Sequence, residues 1–235
     1  MAATLYLIPT SLSGKPFVET YPEEILSIIR GLEVFVVETP KIGRSFLRGL
    51  NKDRQVSQLR FIELNENSQV NADDALKVLM GGESVGVISD AGYPGIADMG
   101  SNLVKFAQKE GIHVKCFFGP SSILQTLAAS GLNGQNFKFN GYAPKDQIER
   151  VKYIKNLEIE SIKTGYAQIF IETPYRAQYL FEDIINNLNS NSLLCLGINI
   201  DHDTEEVVTK TVADWKAIGK NINKSQVVYI VQGRV

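Results

Sequence analysis

The sequence predicts an α/β fold of two domains, a mainly parallel sheet in the first and a mixed sheet in the second, with a cleft between them. Three observations predict it. Short apolar runs of strand length alternate with amphipathic segments of helix length, the pattern of a parallel sheet covered on both faces. Late in the chain, two strand-like runs at 193–200 and 205–211 are joined only by the stretch Asp201-His202-Asp203-Thr204. So short a link cannot make a parallel crossover and requires an antiparallel pair. The texture of the chain also changes between Phe118 and Asn136, which divides it into domains at 1–118 and 119–235.

Residues 5–8 read as a first strand, left through Pro9-Thr10-Ser11-Leu12-Ser13-Gly14. Pro22-Glu23-Glu24 opens a helix, because proline fits the first turn and acids suit the positive end of the helix dipole. Ile25, Ile28, Ile29 and Leu32 give that helix an apolar face, and Gly31 marks its end. A strand follows at 33–38, then Thr39-Pro40 and a helix with Phe46, Leu47 and Leu50 on one side. Arg44, Arg48, Lys52 and Arg54 make this the most basic region, read as a solvated helix face. A strand at 61–64 and a helix at 72–80 complete the approach to the centre of the chain.

Val85, Val87 and Ile88 form a short buried strand that stops in Ser89-Asp90-Ala91-Gly92-Tyr93-Pro94-Gly95. Two glycines and a proline in four residues force a sharp turn, and glycine lets a backbone approach a ligand closely. In open α/β sheets ligands bind beyond the carboxyl ends of strands, where this loop lies. A helix beginning near Ser101 ends at Gly111, a strand spans 112–118, and Gly119-Pro120-Ser121-Ser122 enters a small-residue helix ending near Gly131. Beyond it come a strand at 137–142, a charged helix at 147–158, a strand at 168–172 and a helix at 176–188. The antiparallel pair, a helix at Trp215 and a final strand at 226–232 close the chain.

Composition excludes several classes of function. The 235 residues are 44% hydrophobic and 21% charged with a net charge of −2, so no global positive field advertises a polyanion binder. Cys116 and Cys195 each sit in an apolar run, which predicts small buried hydrophobes rather than a disulfide and fits a reducing cytoplasm. There is no basic segment followed by an apolar one at the start, and no apolar run of about 18 residues, so a cytoplasmic protein without a membrane span is expected. No G-x-G-x-x-G follows a strand, and no G-x-x-x-x-G-K-[ST] or G-x-S-x-G motif occurs. His113 and His202 lack metal-ligand spacing, so no metal site is expected.

Five motifs occur in order: Leu5-Tyr6-Leu7-Ile8-Pro9-Thr10, Ser89-Asp90-Ala91-Gly92-Tyr93-Pro94, Gly119-Pro120-Ser121-Ser122, Gly141-Tyr142-Ala143-Pro144 and Glu172-Thr173-Pro174-Tyr175-Arg176. Together they resemble the tetrapyrrole methylase family of S-adenosylmethionine-dependent methyltransferases, over essentially the whole chain. They are most similar to its branch that methylates a cytidine ribose 2′-hydroxyl in small-subunit ribosomal RNA. The resemblance implies S-adenosylmethionine in the cleft between the two domains, a homodimer, and ribosomal RNA as the acceptor. It implies cofactor contacts from Pro9, Gly92, Tyr93, Pro94, Ile96, Ser121, Ser122, Tyr142, Val228 and Tyr229, with a valine at Gly92 expected to intrude on the donor pocket.

The sequence departs from the branch in several places. SDAGYP replaces S-D-A-G-T-P, ETPYR replaces E-S-P-H-R, and Glu38-Thr39-Pro40-Lys41 stands for E-D-T-R. Ile198-Asn199-Ile200-Asp201-His202 stands for R-E-L-T-K, which removes positive charge where an RNA phosphate would be met. A ribose hydroxyl is a weak nucleophile, so a carboxylate or imidazole is expected as general base. Glu38, Asp90, Glu172 and His202, each at a strand end or turn, are the catalytic candidates. A tetrapyrrole or other small-molecule acceptor, and a non-catalytic ligand-binding protein that retained the fold, stay open beside the RNA reading.

Overall fold

In the computed structural model, residues 3–14, 21–50, 55–64 and 69–234 are described, with the side chains of 69–72 left out. Lys52 and Arg54 of the basic region therefore lie outside the described residues. The chain divides into two units, Met1–Ser121 and Ser122–Val235.

The first unit is built from β1 (Thr4–Ile8), α1 (Glu23–Gly31), β2 (Val34–Val37), α2 (Pro40–Leu50), β3 (Arg60–Glu63), α3 (Gln69–Met80), β4 (Val85–Ile88), α4 (Ser101–Lys109) and β5 (His113–Cys116). Its strands pair in the order β3-β2-β4-β1-β5, and every pair is parallel. β2 and β4 are buried at every residue, as strands with helices on both faces must be. Successive side chains alternate between two cores. Leu5, Leu7, Val34, Val36, Val85 and Val87 meet α3 and α4 through Ala75, Leu79 and Leu103. Ile8, Phe35, Val37 and Ile88 meet α1 and α2 through Leu26, Ile29 and Leu47. From adjacent β1 and β4 the chain departs in opposite directions across the sheet, which makes their carboxyl ends a topological switch point.

The cysteine expectation holds for one residue and fails for the other. Cys195 is buried, but Cys116 is exposed. β5 is an edge strand whose residues are exposed or half-buried, so an apolar run there does not guarantee enclosure.

The second unit contains α5 (Ser122–Ser130), β6 (Phe137–Tyr142), α6 (Gln147–Thr164), β7 (Ala167–Glu172), α7 (Ala177–Asn187), β8 (Leu193–Ile198), β9 (Glu206–Thr211), α8 (Val212–Ile218) and β10 (Val227–Gln232). The sheet order is β6-β7-β10-β8-β9; β6 and β7 are parallel, and the other pairs are antiparallel. One face packs Phe170, Tyr229, Leu194 and Leu196 against Phe181, Ile184 and Trp215. The other packs Ile169, Cys195, Val228 and Ile230 against Ile123 and Leu127 of α5.

α6 runs six residues past the end the sequence suggests. Asp146 caps its start by accepting from the Glu149 amide at 3.0 Å, and the first left-handed residue is Gly165 (φ 75). Glu158 does not end the helix but turns inward, accepting from Ser192 Oγ at 2.6 Å and from the Asn189 amide at 2.8 Å. Among the described residues no helix is long and apolar enough to cross a membrane.

Candidate functional site

At the carboxyl edge of the first sheet, three turns are tied to one another. Thr10 and Gly92 exchange backbone hydrogen bonds, Thr10 N donating to Gly92 O at 2.9 Å and Gly92 N to Thr10 O at 3.1 Å. Thr10 Oγ1 also donates to Ser89 O at 2.9 Å. The Gly119 amide donates to the Tyr93 hydroxyl at 2.8 Å, and the Tyr21 hydroxyl donates to Pro9 O. Gly119 lies so close to Pro9 that a Cβ there would fall 2.4 Å from the proline Cβ, which only glycine avoids. The loops after β1, β4 and β5 thus form one brace, with Pro9, Gly92, Tyr93 and Pro94 in it and Ser121 at its end.

Gly92 has φ +78, a conformation costly for any residue with a Cβ. The space beside it is not crowded: a Cβ would meet Leu12 at 3.4 Å and the Pro120 carbonyl at 3.8 Å. The backbone conformation rather than a filled pocket is therefore what calls for glycine here. Ile96 and Phe118 stay about half exposed at 51% and 52%, giving the first unit's loops an apolar rim.

The two acidic candidates of the first unit differ. Both oxygens of Asp90 are engaged at the start of α2, Oδ1 with the Thr39 amide at 3.2 Å and Oδ2 with Thr39 Oγ1 at 2.6 Å. It anchors that turn, and its charge suits the positive end of the helix. Glu38 is exposed and lines a small recess with Val36, Ser89, Asp98 and Met99.

In the second unit the register brings strand ends to one level. Val227 of β10 pairs with Glu172 at the end of β7 on one side and with Ile198 at the end of β8 on the other. Tyr142 at the end of β6 pairs with Ile171 and is exposed. Past β8 the chain turns through Asn199 (φ 49) and Asp201 (φ 65), held by Asn199 N donating to Gln226 O at 2.8 Å. From α5, Gln125 Nε2 donates to Asp201 Oδ1 at 3.1 Å. Ser122 begins that same helix. Glu172 and His202 are therefore at the same edge of the same sheet.

Glu172 is 4% exposed. Its Oε1 accepts from the Thr173 amide at 2.6 Å and from Arg176 at 2.5 Å. The hydrogen bond to Glu172 holds the Arg176 guanidinium above its ordinary pKa, and the attraction of the two charges adds to this. Glu172 Oε2 has no hydrogen-bond partner, and neither do Arg176 Nε, Asp201 Oδ2 or His202 Nε2. Seven buried side-chain polar atoms lack a partner among the described residues, and these four share one edge. Each unmet atom costs about 1–3 kcal/mol, so their concentration singles this edge out as a candidate site.

Two of the residues expected at the cofactor are buried in the second unit's core. Tyr229 is fully buried, stacked on Phe170 at 5.6 Å between ring centroids, with its hydroxyl donating to Ala177 O at 2.7 Å. Burial, and then the Glu172 charge, push that hydroxyl's pKa well up. Val228 packs in the core beneath α5. β10 is the central strand of its sheet, and the side chains of Val228 and Tyr229 are buried in the cores on its two faces.

The sequence reading passed over three residues that the structure makes prominent. Arg176 folds back from the start of α7 to the strand end four positions earlier, a spacing visible in ETPYR but ambiguous across a strand-to-helix turn. Asp201 and Gln125 meet across 76 positions, which no local pattern signals.

No family model matches the chain. A ribosomal RNA small subunit methyltransferase I of Vibrio cholerae is 26% identical over 235 residues, covering 99% of this chain and 78% of the relative. The protein of that name from Escherichia coli O157:H7 is 25% identical, covering 97% and 77%. That from Thermotoga maritima is 36% identical over 137 residues, covering 58% and 59%. Among solved structures, the methyltransferase CobJ matches with a TM-score of 0.62 at 16% identity, covering all of this chain and 96% of that one. A diphthine synthase matches with a TM-score of 0.65 at 16% identity, covering 100% and 91%. These structural likenesses establish the fold.

Proposed function

We propose that this chain is a methyltransferase of the tetrapyrrole methylase family, which transfers a methyl group from S-adenosylmethionine to a ribose hydroxyl of ribosomal RNA. The observation that carries this reading is the set of unpartnered buried polar atoms at the sheet edge that includes Glu172, in a chain matched over nearly its whole length by relatives named as ribosomal RNA methyltransferases.

The donor fits the carboxyl edge of the first sheet. The brace of Pro9, Gly92, Tyr93, Pro94 and Ser121 fixes backbone polar groups close to the surface. Ile96 supplies apolar contact of the kind an adenine or thioether requires. Ser122, at the start of α5, and Tyr142, at the end of β6, are the donor contacts proposed within the second unit. When bound, the sulfonium donor supplies an activated methyl group whose departing fragment is a neutral thioether, so no acid is needed for it.

The chain's own residues supply orientation and a base. Arg176 and the Thr173 amide hold Glu172 by Oε1, which leaves Oε2 as the oxygen that accepts the hydroxyl proton as the new O–C bond forms. His202 and Asp201 turn polar atoms to the same edge and position the acceptor through hydrogen bonds. Asp90, with both oxygens occupied by Thr39, is a poor base, and Glu38 is an exposed residue of the first unit's small recess. The resemblance supports a homodimer in the cytoplasm, which analytical sedimentation would test.

The test is incubation with methyl-labelled donor and small-subunit ribosomal RNA, followed by digestion to nucleosides. Label in a 2′-O-methyl nucleoside is the expected result. Donor binding without transfer to RNA would overturn the acceptor, and absence of donor binding would overturn the whole reading.

A further inference from the structure

Tyr175 and Tyr179 are 77% and 61% exposed, although each is large and apolar enough to be worth burying. They lie four positions apart across the start of α7, on the side away from Ala177, Leu180 and Phe181, which are buried. Tyr175 sits within the turn that carries Glu172 to Arg176. The Lys224 amide donates to Pro174 O at 3.1 Å, and Lys224 itself is exposed, with φ 60. Two exposed aromatic residues and Arg176, which pairs with Glu172, thus belong to the turn and helix start that follow the carboxylate proposed as base, with a lysine whose backbone is tied to that turn at Pro174.

We infer that this turn is a stacking platform that receives two unpaired bases of the RNA, next to the nucleotide to be methylated. The inference rests on ribosomal RNA being the acceptor. Aromatic faces interleaved with cations suit single-stranded nucleic acid, because every base has a face to stack and every nucleotide a phosphate to neutralise. In an A-form duplex those faces are already covered, so the platform selects a loop, bulge or strand end. A protein partner is less well matched, since the surface is two rings broken by charges rather than a continuous apolar groove.

The experiment measures binding of a labelled single-stranded RNA oligonucleotide, and of the same strand annealed to its complement. The proteins compared are the unmodified chain, Y175A, Y179A, the double alanine variant and the double phenylalanine variant. Each alanine raises the Kd for the single strand about tenfold, and phenylalanine, which keeps the ring face, stays within about twofold of the unmodified chain. The duplex binds more weakly and responds little to any of them. KM for RNA rises while kcat and donor affinity by calorimetry stay nearly constant. Alanine variants that bind the single strand as well as the unmodified chain would overturn the platform, and so would a change of oligomeric state in those variants. If the unmodified chain methylates RNA but the alanines change nothing, this inference alone fails. If it neither binds nor methylates RNA, the proposed acceptor fails with it.

Discussion

The carboxyl edges of the two sheets face opposite demands. At the edge of the first, Thr10, Ser89, Gly92, Tyr93 and Gly119 answer one another's hydrogen-bonding groups, and little is left over. At the edge of the second, Glu172, Arg176, Asp201 and His202 each keep a buried polar atom without a partner. A satisfied edge is a frame: it holds loops in one shape and offers that shape to a ligand. An unsatisfied edge stores the affinity for whatever completes it, at a cost in stability. On the proposed reading, the first edge supplies geometry and the second supplies the proton acceptor.

The strongest way to break that contrast is Glu172→Gln, which keeps the shape and removes the proposed proton acceptor. Methyl transfer should fall by about 10²–10⁴-fold with donor affinity unchanged, measured by single-turnover transfer and calorimetry. An active variant would move the base elsewhere. Next is Gly119→Ala, which drives a Cβ against the rigid Pro9 ring. It should cost about 1–3 kcal/mol in urea unfolding and weaken donor binding, because the brace must open to admit the methyl.

A milder probe is Tyr93→Phe, which removes only the oxygen that accepts from the Gly119 amide. About 1 kcal/mol should be lost, visible as a shift in the denaturation midpoint with an unchanged slope. The gentlest test uses thiols as reporters. Burial pushes the Cys195 pKa up to about 11, so at pH 8 it is roughly one part in a thousand thiolate, as well as sealed in the core. Mass spectrometry after brief maleimide treatment of the folded chain should show one adduct, at Cys116, with a second appearing only in denaturant.

Much of the architecture was legible because it depends on short-range pattern. The short link between the runs at 193–200 and 205–211, which in the structure spans 199–205, demanded the antiparallel β8–β9 pair, and Val-Gly-Val-Ile followed by Gly92-Tyr93-Pro94-Gly95 announced a buried strand and a sharp turn. Position across a sheet is not a local property. Cys116 and Tyr229 sit in similar apolar runs, yet one strand lies at an edge and the other at the centre, so the first residue is open and the second enclosed. For the candidate site, beside Glu38, Asp90 and His202, Glu172 is one of four candidates that the sequence offers at strand ends or turns. That Arg176 would pin one of its oxygens and spare the other depends on how α7 departs from the strand, which spacing alone leaves undetermined.

The last strand of the second sheet is inserted at its middle, between β7 and β8. During synthesis those two strands leave the ribosome well before the segment that joins them, and until Val227–Gln232 emerges they present bare edges to the crowded interior of the cell. A growing chain stalled short of that point has no half-finished but serviceable form, and it is a natural client for chaperones and proteases.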